Sequence, residues 1–195
     1  MTELLTPSTG AITAALSGDY TFDTAHSRVG FAARHAMIAK VRGAFTEFDG
    51  TLHIDVENPA ASKATVTIQA KSIDTRNQMR DDHLKSNDFF DMDNHPEITF
   101  VSTAVNQTSG TEFTLTGDLT IKGVTKPVSI PFEYTGSVID PWGNERAGFE
   151  GSVTINRLDW GVNWNTALEA GGVLVSEKVT LEFEIAAIKT KPAAE

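Results

Sequence analysis

Apolar and polar residues alternate along most of the chain after residue 18. In the clearest run, residues 179–185 read Val-Thr-Leu-Glu-Phe-Glu-Ile. Because successive side chains of a strand point to opposite faces, each run presents one apolar and one polar face. Such runs are typical of antiparallel strands with one face in water, arranged as a sandwich or a barrel. Similar runs occupy residues 65–70, 98–103, 113–121, 128–134 and 149–155.

Glycine and proline residues separate these runs, as at residues 57–59, 109–110, 122–123 and 140–144. These residue types favour tight turns, so the segments are predicted to connect strands. Three glycines lie inside predicted strands, where they predict bends or bulges: Gly30, Gly43 and Gly151.

One segment departs from the alternation. Residues 75–78 read Thr-Arg-Asn-Gln, which matches a capping box in which Thr75 and Gln78 satisfy free backbone donors. A short surface helix is therefore predicted from this point to about Lys85 or Asn87.

The chain has 195 residues, no cysteine and a formal net charge of -10. This length predicts one domain, with a flexible arm over residues 1–17 and a frayed tail over residues 189–195. The acidic surface repels phosphate backbones, which excludes non-specific nucleic-acid binding. No apolar stretch is long enough to predict stable membrane insertion. The first residues lack the basic start of a secretory signal, so we expect a cytoplasmic protein.

Several motifs in order carry a family resemblance. The chain resembles the YceI-like family at YTFDTAHSRVGF (residues 20–31), VRGAF (41–45), RDDHLKS (80–86), DFFD (88–91), GDLTIKGVTKPV (117–128) and NRLDWG (156–161). The resemblance extends from about residue 18 to residue 188, nearly the whole chain.

The resemblance implies an all-β domain over residues 18–188, an eight-stranded antiparallel lipocalin-like barrel with a short surface helix. It also implies a pore that holds a long isoprenoid chain, such as a polyisoprenoid or an isoprenoid quinone, as ligand and not as cofactor. The expected function is storage or transport of that lipid without catalysis. A homodimer is left open. With the apolar faces turned inward, the predicted pore lining includes Phe31, Phe45, Ile68, Phe100, Phe113, Leu115, Phe132, Phe149 and Phe183.

The alternative from the pattern alone is a barrel filled by its own side chains, serving as a stress-linked interaction protein. Independently of this choice, Phe89 and Phe90 are either a gate at the mouth or, as we favour, the anchor of the short helix. Trp160 and Trp164 either cap one end of the barrel or line its mouth. Arg157 is predicted to pair with Asp159 or another carboxylate.

Polar candidates at the pore mouth are His26, His35 and Arg42. The five histidines lack metal-ligand spacing, so no metal is expected. A hydrolase would need Asp23, His26 and His35 to converge inside the pore. An acidic stretch is predicted to form a solvated rim of the barrel: Asp81, Asp82, Asp88, Asp91, Asp93 and Glu97.

Overall fold

In a computed structural model, which describes residues 12–191, eleven strands form one antiparallel sheet and a single α-helix lies beside it. The strands are β1 (Gly18–Phe22), β2 (Arg28–His35), β3 (Ala39–Phe45), β4 (Phe48–Ile54), β5 (Lys63–Gln69), β6 (Ile73–Asp74), β7 (Glu97–Ser109), β8 (Glu112–Ile121), β9 (Val124–Ile139), β10 (Glu145–Asn156) and β11 (Val175–Lys189). The helix α1 spans Gln78–Lys85, between β6 and β7.

The sheet closes on itself because β11 pairs with two strands that lie end to end. Tyr20 of β1 is opposite Lys189, while Val29 of β2 is opposite Phe183. In the same way β3 continues into β4, and β5 continues into β6. β1 with β2, β3 with β4, and β5 with β6 therefore each count as one strand of the barrel. Together with β7 to β11 they make eight barrel strands. The closed, eight-stranded antiparallel barrel with a short helix confirms the predicted fold.

The break between β1 and β2 reverses which residues face inward. Tyr20 and Phe22 face the interior in β1, whereas Val29, Phe31 and Ala33 do so in β2. Ser27 bridges the break, since its hydroxyl donates to the Ala186 carbonyl and accepts from the Ala186 amide. An interruption of this kind keeps both halves apolar on the inner side, although their periodicities are out of phase.

Helix α1 lies where the sequence predicts it, but its cap is different. Asn77 is the N-cap, and its side chain accepts from the Arg80 amide at 3.0 Å. The predicted capping box at Thr75 is therefore wrong: the Thr75 hydroxyl donates to Asp81 at 2.6 Å. Thr75 precedes the helix and ties it to β6, so its hydrogen bond fixes the position of the helix and not its first turn.

The two barrel ends differ, and we name them by their contents. The helix end contains α1, the β2–β3 and β8–β9 turns and residues 157–174. The opposite end contains the β4–β5, β7–β8 and β9–β10 connections and a 3₁₀ turn, Ala14–Leu16.

Part of the predicted arm and tail lies outside the described residues, namely 1–11 and 192–195. In the described part of the arm, Leu16 is buried and accepts a hydrogen bond from Tyr20. Strand β11 continues to Lys189, which pairs with Glu145. Leu16 and Lys189 thus pack on the barrel. The flexible arm and the frayed tail stay predictions.

Candidate ligand-binding cavity

An apolar cavity of about 280 Å³ runs through the interior of the barrel. All nine residues predicted from strand parity lie on its wall: Phe31, Phe45, Ile68, Phe100, Phe113, Leu115, Phe132, Phe149 and Phe183. Their contact with a ligand stays a prediction. Other lining residues were not among those predicted, and examples are Ile12, Leu16, Phe22, Leu52 and Ile54. The alternation in β1 and β4 would have indicated the last three.

Inward-facing glycines keep aromatic rings against the wall. Phe31 is paired with Gly43 and Phe132 with Gly151 across neighbouring strands. A Cβ atom at Gly43 would lie 2.4 Å from the ring of Phe31, and one at Gly151 would lie 2.6 Å from the ring of Phe132. Only glycine permits these approaches, so each ring lies over backbone instead of crossing the lumen.

These positions correct the prediction of bends at glycines. The irregularities of register lie elsewhere in the strand pairs, for example between Gly148 and Phe149, and not at Gly30, Gly43 or Gly151. Gly30 faces outward, and the guanidinium of Arg28 lies over it. The sequence shows that a side chain is absent at these positions, but it does not show what occupies the space.

Aromatic contacts form two clusters within the wall. Phe113 stacks on Phe132 with ring centroids 5.8 Å apart, and Phe132 contacts Phe183 at the same distance. Phe31 contacts Phe45 at 5.9 Å, and Phe45 meets the ring of Phe90 edge-on. The clusters make a continuous apolar surface around the lumen.

Aromatic side chains pack at the helix end. Phe89 and Trp160 are buried, and the Trp160 indole donates to the Leu119 carbonyl at 2.9 Å. Trp164 lies outside the cavity wall, with its ring 4.6 Å from His83 and 5.3 Å from Phe89. Phe89 therefore anchors the helix. Phe89, Phe90 and Trp160 also line the cavity.

Polar lining residues concentrate at the opposite end. Asp55 and Ser62 come from the connection between β4 and β5, and Gln107 comes from the end of β7. His53 and Lys63 border the cavity only through their backbone, because their exposed side chains alternate with the inward-facing Leu52 and Ala64. This polar rim could not be predicted from the sequence, because the β4–β5 connection and the end of β7 are more than forty residues apart and only the folded barrel brings them together.

Arg157 is buried at the helix end without a carboxylate partner within the described residues. It donates to the backbone carbonyls of Ser176, Val162 and Val175. Burial lowers the pKa of its guanidinium. The predicted ion pair with Asp159 is therefore wrong: Arg157 fastens the segment that leads into β11.

The three predicted polar mouth residues lie outside the cavity wall. His35 and Arg42 are exposed on the β2–β3 hairpin, and His26 is exposed in the β1–β2 break. His26 contacts Asp23 at 2.8 Å, but His35 lies at the far end of β2. The convergent arrangement of Asp23, His26 and His35 that a hydrolase would need is thus not formed. Strand parity alone did not show that His26 lies in the break between β1 and β2.

Asp23 belongs instead to an external ion-pair network. Arg146 donates to both Asp23 and Asp140, and the hydrogen bond from Arg146 lowers the pKa of Asp23. At Asp140, burial opposes ionisation, but hydrogen bonds from Arg146 and Asn144 outweigh it and lower the pKa. This network lies on the outer wall and supports the β9–β10 connection.

The predicted acidic rim is also altered by local packing. Asp81 is buried and accepts from both the amide and the hydroxyl of Thr75, so it is a structural residue of α1. Asp88 contacts His83 at 2.8 Å. Within residues 12–191, no three His, Asp or Glu side chains cluster as metal ligands, and no helix is long and apolar enough to cross a membrane.

Barrel closure and an apolar lumen define a class of protein, the lipocalin-like barrels with an internal cavity. The model of the YceI-like domain matches residues 20–187, so the chain belongs to the YceI-like family. A UPF0312 protein of Staphylococcus aureus strain MSSA476 is 41% identical over 165 residues, which cover 84% of this chain and 94% of that protein.

Solved structures share the fold. Burkholderia cenocepacia BcnA superposes with a TM-score of 0.75 at 28% identity, over 85% of this chain and 98% of that one. A polyisoprenoid-binding domain from Saccharophagus degradans superposes with a TM-score of 0.67 at 13% identity, over 88% of this chain and 98% of that one. At that identity the second similarity concerns the fold alone.

Proposed function

We propose that this protein binds a long apolar lipid, a polyisoprenoid or an isoprenoid quinone, inside the barrel and stores or carries it without catalysis. The observation that carries the proposal is the apolar cavity bounded by the inward faces of the strands. The polyisoprenoid-binding name of the Saccharophagus degradans neighbour supports the ligand class. The cytoplasmic location stays a prediction from the sequence.

The size of the cavity favours a slender ligand. Its volume of about 280 Å³ is near the lower end of the range of roughly 300–1,000 Å³ found for small-molecule sites. Each buried methylene group contributes about 0.8 kcal/mol. A chain with many such groups therefore binds without a directional polar contact, and its length and width determine selectivity.

The distribution of polar groups orients the proposed ligand. Buried aromatic side chains such as Phe89 and Trp160 fill the helix end, whereas Asp55, Ser62 and Gln107 line the opposite end. A polar head group loses less hydration beside such groups than among phenylalanine rings. We therefore place the apolar tail towards the helix end and the head at the polar rim.

The alternative, an interaction protein with a filled barrel, requires side chains to occupy the lumen. The Phe–Gly pairs argue against it, because they hold rings along the wall and leave space beside them.

Organic extraction and mass spectrometry of the purified full chain test the proposal directly. A stoichiometric isoprenoid that copurifies is the expected result. A chain that carries no lipid and also retains no added quinone or polyprenol would exclude the carrier function in favour of the interaction protein.

A pair of matched variants tests whether the lumen is the site. Val66 lines the cavity, whereas Val101 on the neighbouring strand is 51% exposed on the outer face. We expect Val66→Phe to lower retention of an added isoprenoid at least several-fold, because the larger ring occupies space that the chain needs. Val101→Phe adds the same bulk outside and leaves retention unchanged.

Thermal unfolding of both variants identifies a folding defect. Equal retention by the two folded variants would show that the lipid does not occupy the lumen. If Val66→Phe fails to fold, Val66→Leu provides a smaller increase in volume for the same comparison.

A further inference from the structure

The β2–β3 hairpin carries a positive charge that the rest of this acidic chain does not explain. Residues 28–46 contain Arg28, Arg34, Lys40 and Arg42 but no Asp or Glu, in a chain of net charge -10. Only Arg28 of these four pairs with a carboxylate among the described residues, that of Glu182. Arg34, Lys40 and Arg42 are exposed.

The arrangement of these cations is unfavourable for stability. Arg34 and Lys40 are direct cross-strand partners on the outer face of the hairpin. Like charges in directly opposite positions destabilise a sheet, and neither side chain has a carboxylate partner in the described part of the chain. Arg34 donates one hydrogen bond to the Ile38 carbonyl at 3.2 Å, but this contact neutralises neither cation, so the pair is suited to an external anionic surface.

The tip of the hairpin is both apolar and strained. Met37 is 58% exposed and Ile38 is 79% exposed. Ala36 and Met37 adopt positive φ angles of 49° and 65°, a conformation that is unfavourable for residues with a Cβ. Glycine would avoid this cost, but the chain places an apolar side chain at the tip instead.

A groove joins the tip to the outer wall. It is lined by Arg34, Met37, Lys40 and Lys178, with Glu177 as an acidic member. It forms where the pairing of β11 with β2 is interrupted between Val175 and Val179. Ala33 borders both this groove and the lipid cavity, so the basic surface adjoins the cavity wall.

We propose that the β2–β3 hairpin docks the protein on an anionic lipid bilayer, with Met37 and Ile38 in the interface and Arg34, Lys40 and Arg42 against the head groups. An apolar tip surrounded by cations matches the two contributions to interfacial binding, which are burial of apolar area and attraction to anionic lipids. The net negative charge elsewhere keeps the remaining surface away from such a bilayer.

Cosedimentation of the full chain with vesicles tests this inference, whether or not the cavity is occupied. We expect binding to vesicles of phosphatidylglycerol and phosphatidylcholine in equal parts, and little binding to phosphatidylcholine alone. The double variant Arg34→Gln, Lys40→Gln should bind about 25-fold more weakly, because each cation contributes roughly fivefold.

Lys126→Gln together with Lys191→Gln is the matched control. Both lysines are exposed and lie outside the hairpin, so this variant has the same net charge but should keep the wild-type affinity. Ile38→Ser preserves every charge and should still weaken binding several-fold, which separates insertion of the tip from attraction alone.

Three results would overturn the proposal. Equal loss of vesicle binding in the two double variants would mean that net charge, and not the hairpin, determines binding. Equal binding to vesicles with and without phosphatidylglycerol would mean that the surface bound by the hairpin is not anionic lipid. Self-association of the Arg34→Gln, Lys40→Gln variant with unchanged vesicle binding would mean that the cations protect the part of β3 that has no strand partner beyond β2. Retention of isoprenoid is measured separately, so the two proposals fail independently.

Discussion

Two hairpins of the barrel expose apolar side chains, but they are built in different ways. The β9–β10 connection exposes Trp142 and Ile139, which are 80% and 62% accessible, and the β2–β3 tip exposes Met37 and Ile38 to a comparable degree. The first is held by a dense set of polar contacts. The second combines positive φ at residues with side chains and two opposed cations.

Asp140 organises the β9–β10 connection. One of its carboxylate oxygens accepts from the amides of Trp142 and Asn144, and the other accepts from the side chains of Asn144 and Arg146. Gly143 provides the positive φ of 80° that the turn requires. Sequence and backbone therefore agree at this connection.

At the β2–β3 tip, residue types and backbone conformation do not agree in this way. The difference distinguishes residues that stabilise a turn from residues that make an external contact. A turn built for stability has glycine or asparagine at positive φ and pairs its charges. The tip of β2–β3 meets neither condition, which is the reason for assigning it an external surface. Variants of the two hairpins can challenge that distinction.

The largest effect is expected at Arg146. Arg146→Met removes the cation from Asp23 and Asp140, whose side chains are only 12% and 7% exposed, so the midpoint of thermal unfolding at neutral pH should fall by several degrees. Arg34→Met makes the same replacement on the β2–β3 hairpin and should change the midpoint little, since it removes no ion pair and only one exposed hydrogen bond, to the Ile38 carbonyl. An equal loss in both variants would contradict the distinction.

Acid should reveal the same network. A carboxyl group whose pKa is lowered in the folded state stabilises the fold above its ordinary pKa of 3.8. That contribution is lost as the pH falls from about 3.8 through the lowered folded pKa of Asp23 and Asp140. The midpoint of thermal unfolding, measured between pH 5 and pH 2, should fall less steeply with pH in Arg146→Met than in the wild type. If the midpoints of the two proteins fall in parallel with pH, Arg146 does not lower the pKa of these carboxyl groups.

An intermediate effect is expected at Gly143. No atom lies within 4 Å of a Cβ built there, so Gly143→Met tests backbone conformation without a clash. Positive φ should cost about 1–2 kcal/mol in the free energy of unfolding measured with urea. Gly143→Asn should cost less, because asparagine tolerates this conformation. A neutral Gly143→Met would show that the turn does not need glycine.

The smallest effect is expected for the reverse exchange, Met37→Gly, at the β2–β3 tip. Met37→Gly should relieve the strained φ angle but increase the freedom of the unfolded chain, leaving a gain of about 0.5 kcal/mol. The same variant should bind anionic vesicles more weakly. A loss of stability instead would mean that contact of Met37 with the loop at Gly172 outweighs the strain.

Several elements could be predicted because their signals are local. The alternation at residues 179–185 predicted β11, and the inward parity placed Phe31, Phe132 and Phe183 on the cavity wall. Polar contacts were harder to predict. The partners of Arg157 are backbone carbonyls, which carry no residue identity, and the partner of Thr75 lies six residues further along the chain.

The sequence by itself determined which side chains are apolar and where the chain turns. Through its motifs it also determined that eight strands form an antiparallel barrel. Only the tertiary structure decided that the lumen is open, because the space over Gly43 and Gly151 depends on rings from neighbouring strands. It also decided which polar residues share one end and that Arg34 is opposite Lys40. Closure and register join residues that are distant in sequence, and periodicity along a single strand contains no information about its neighbours.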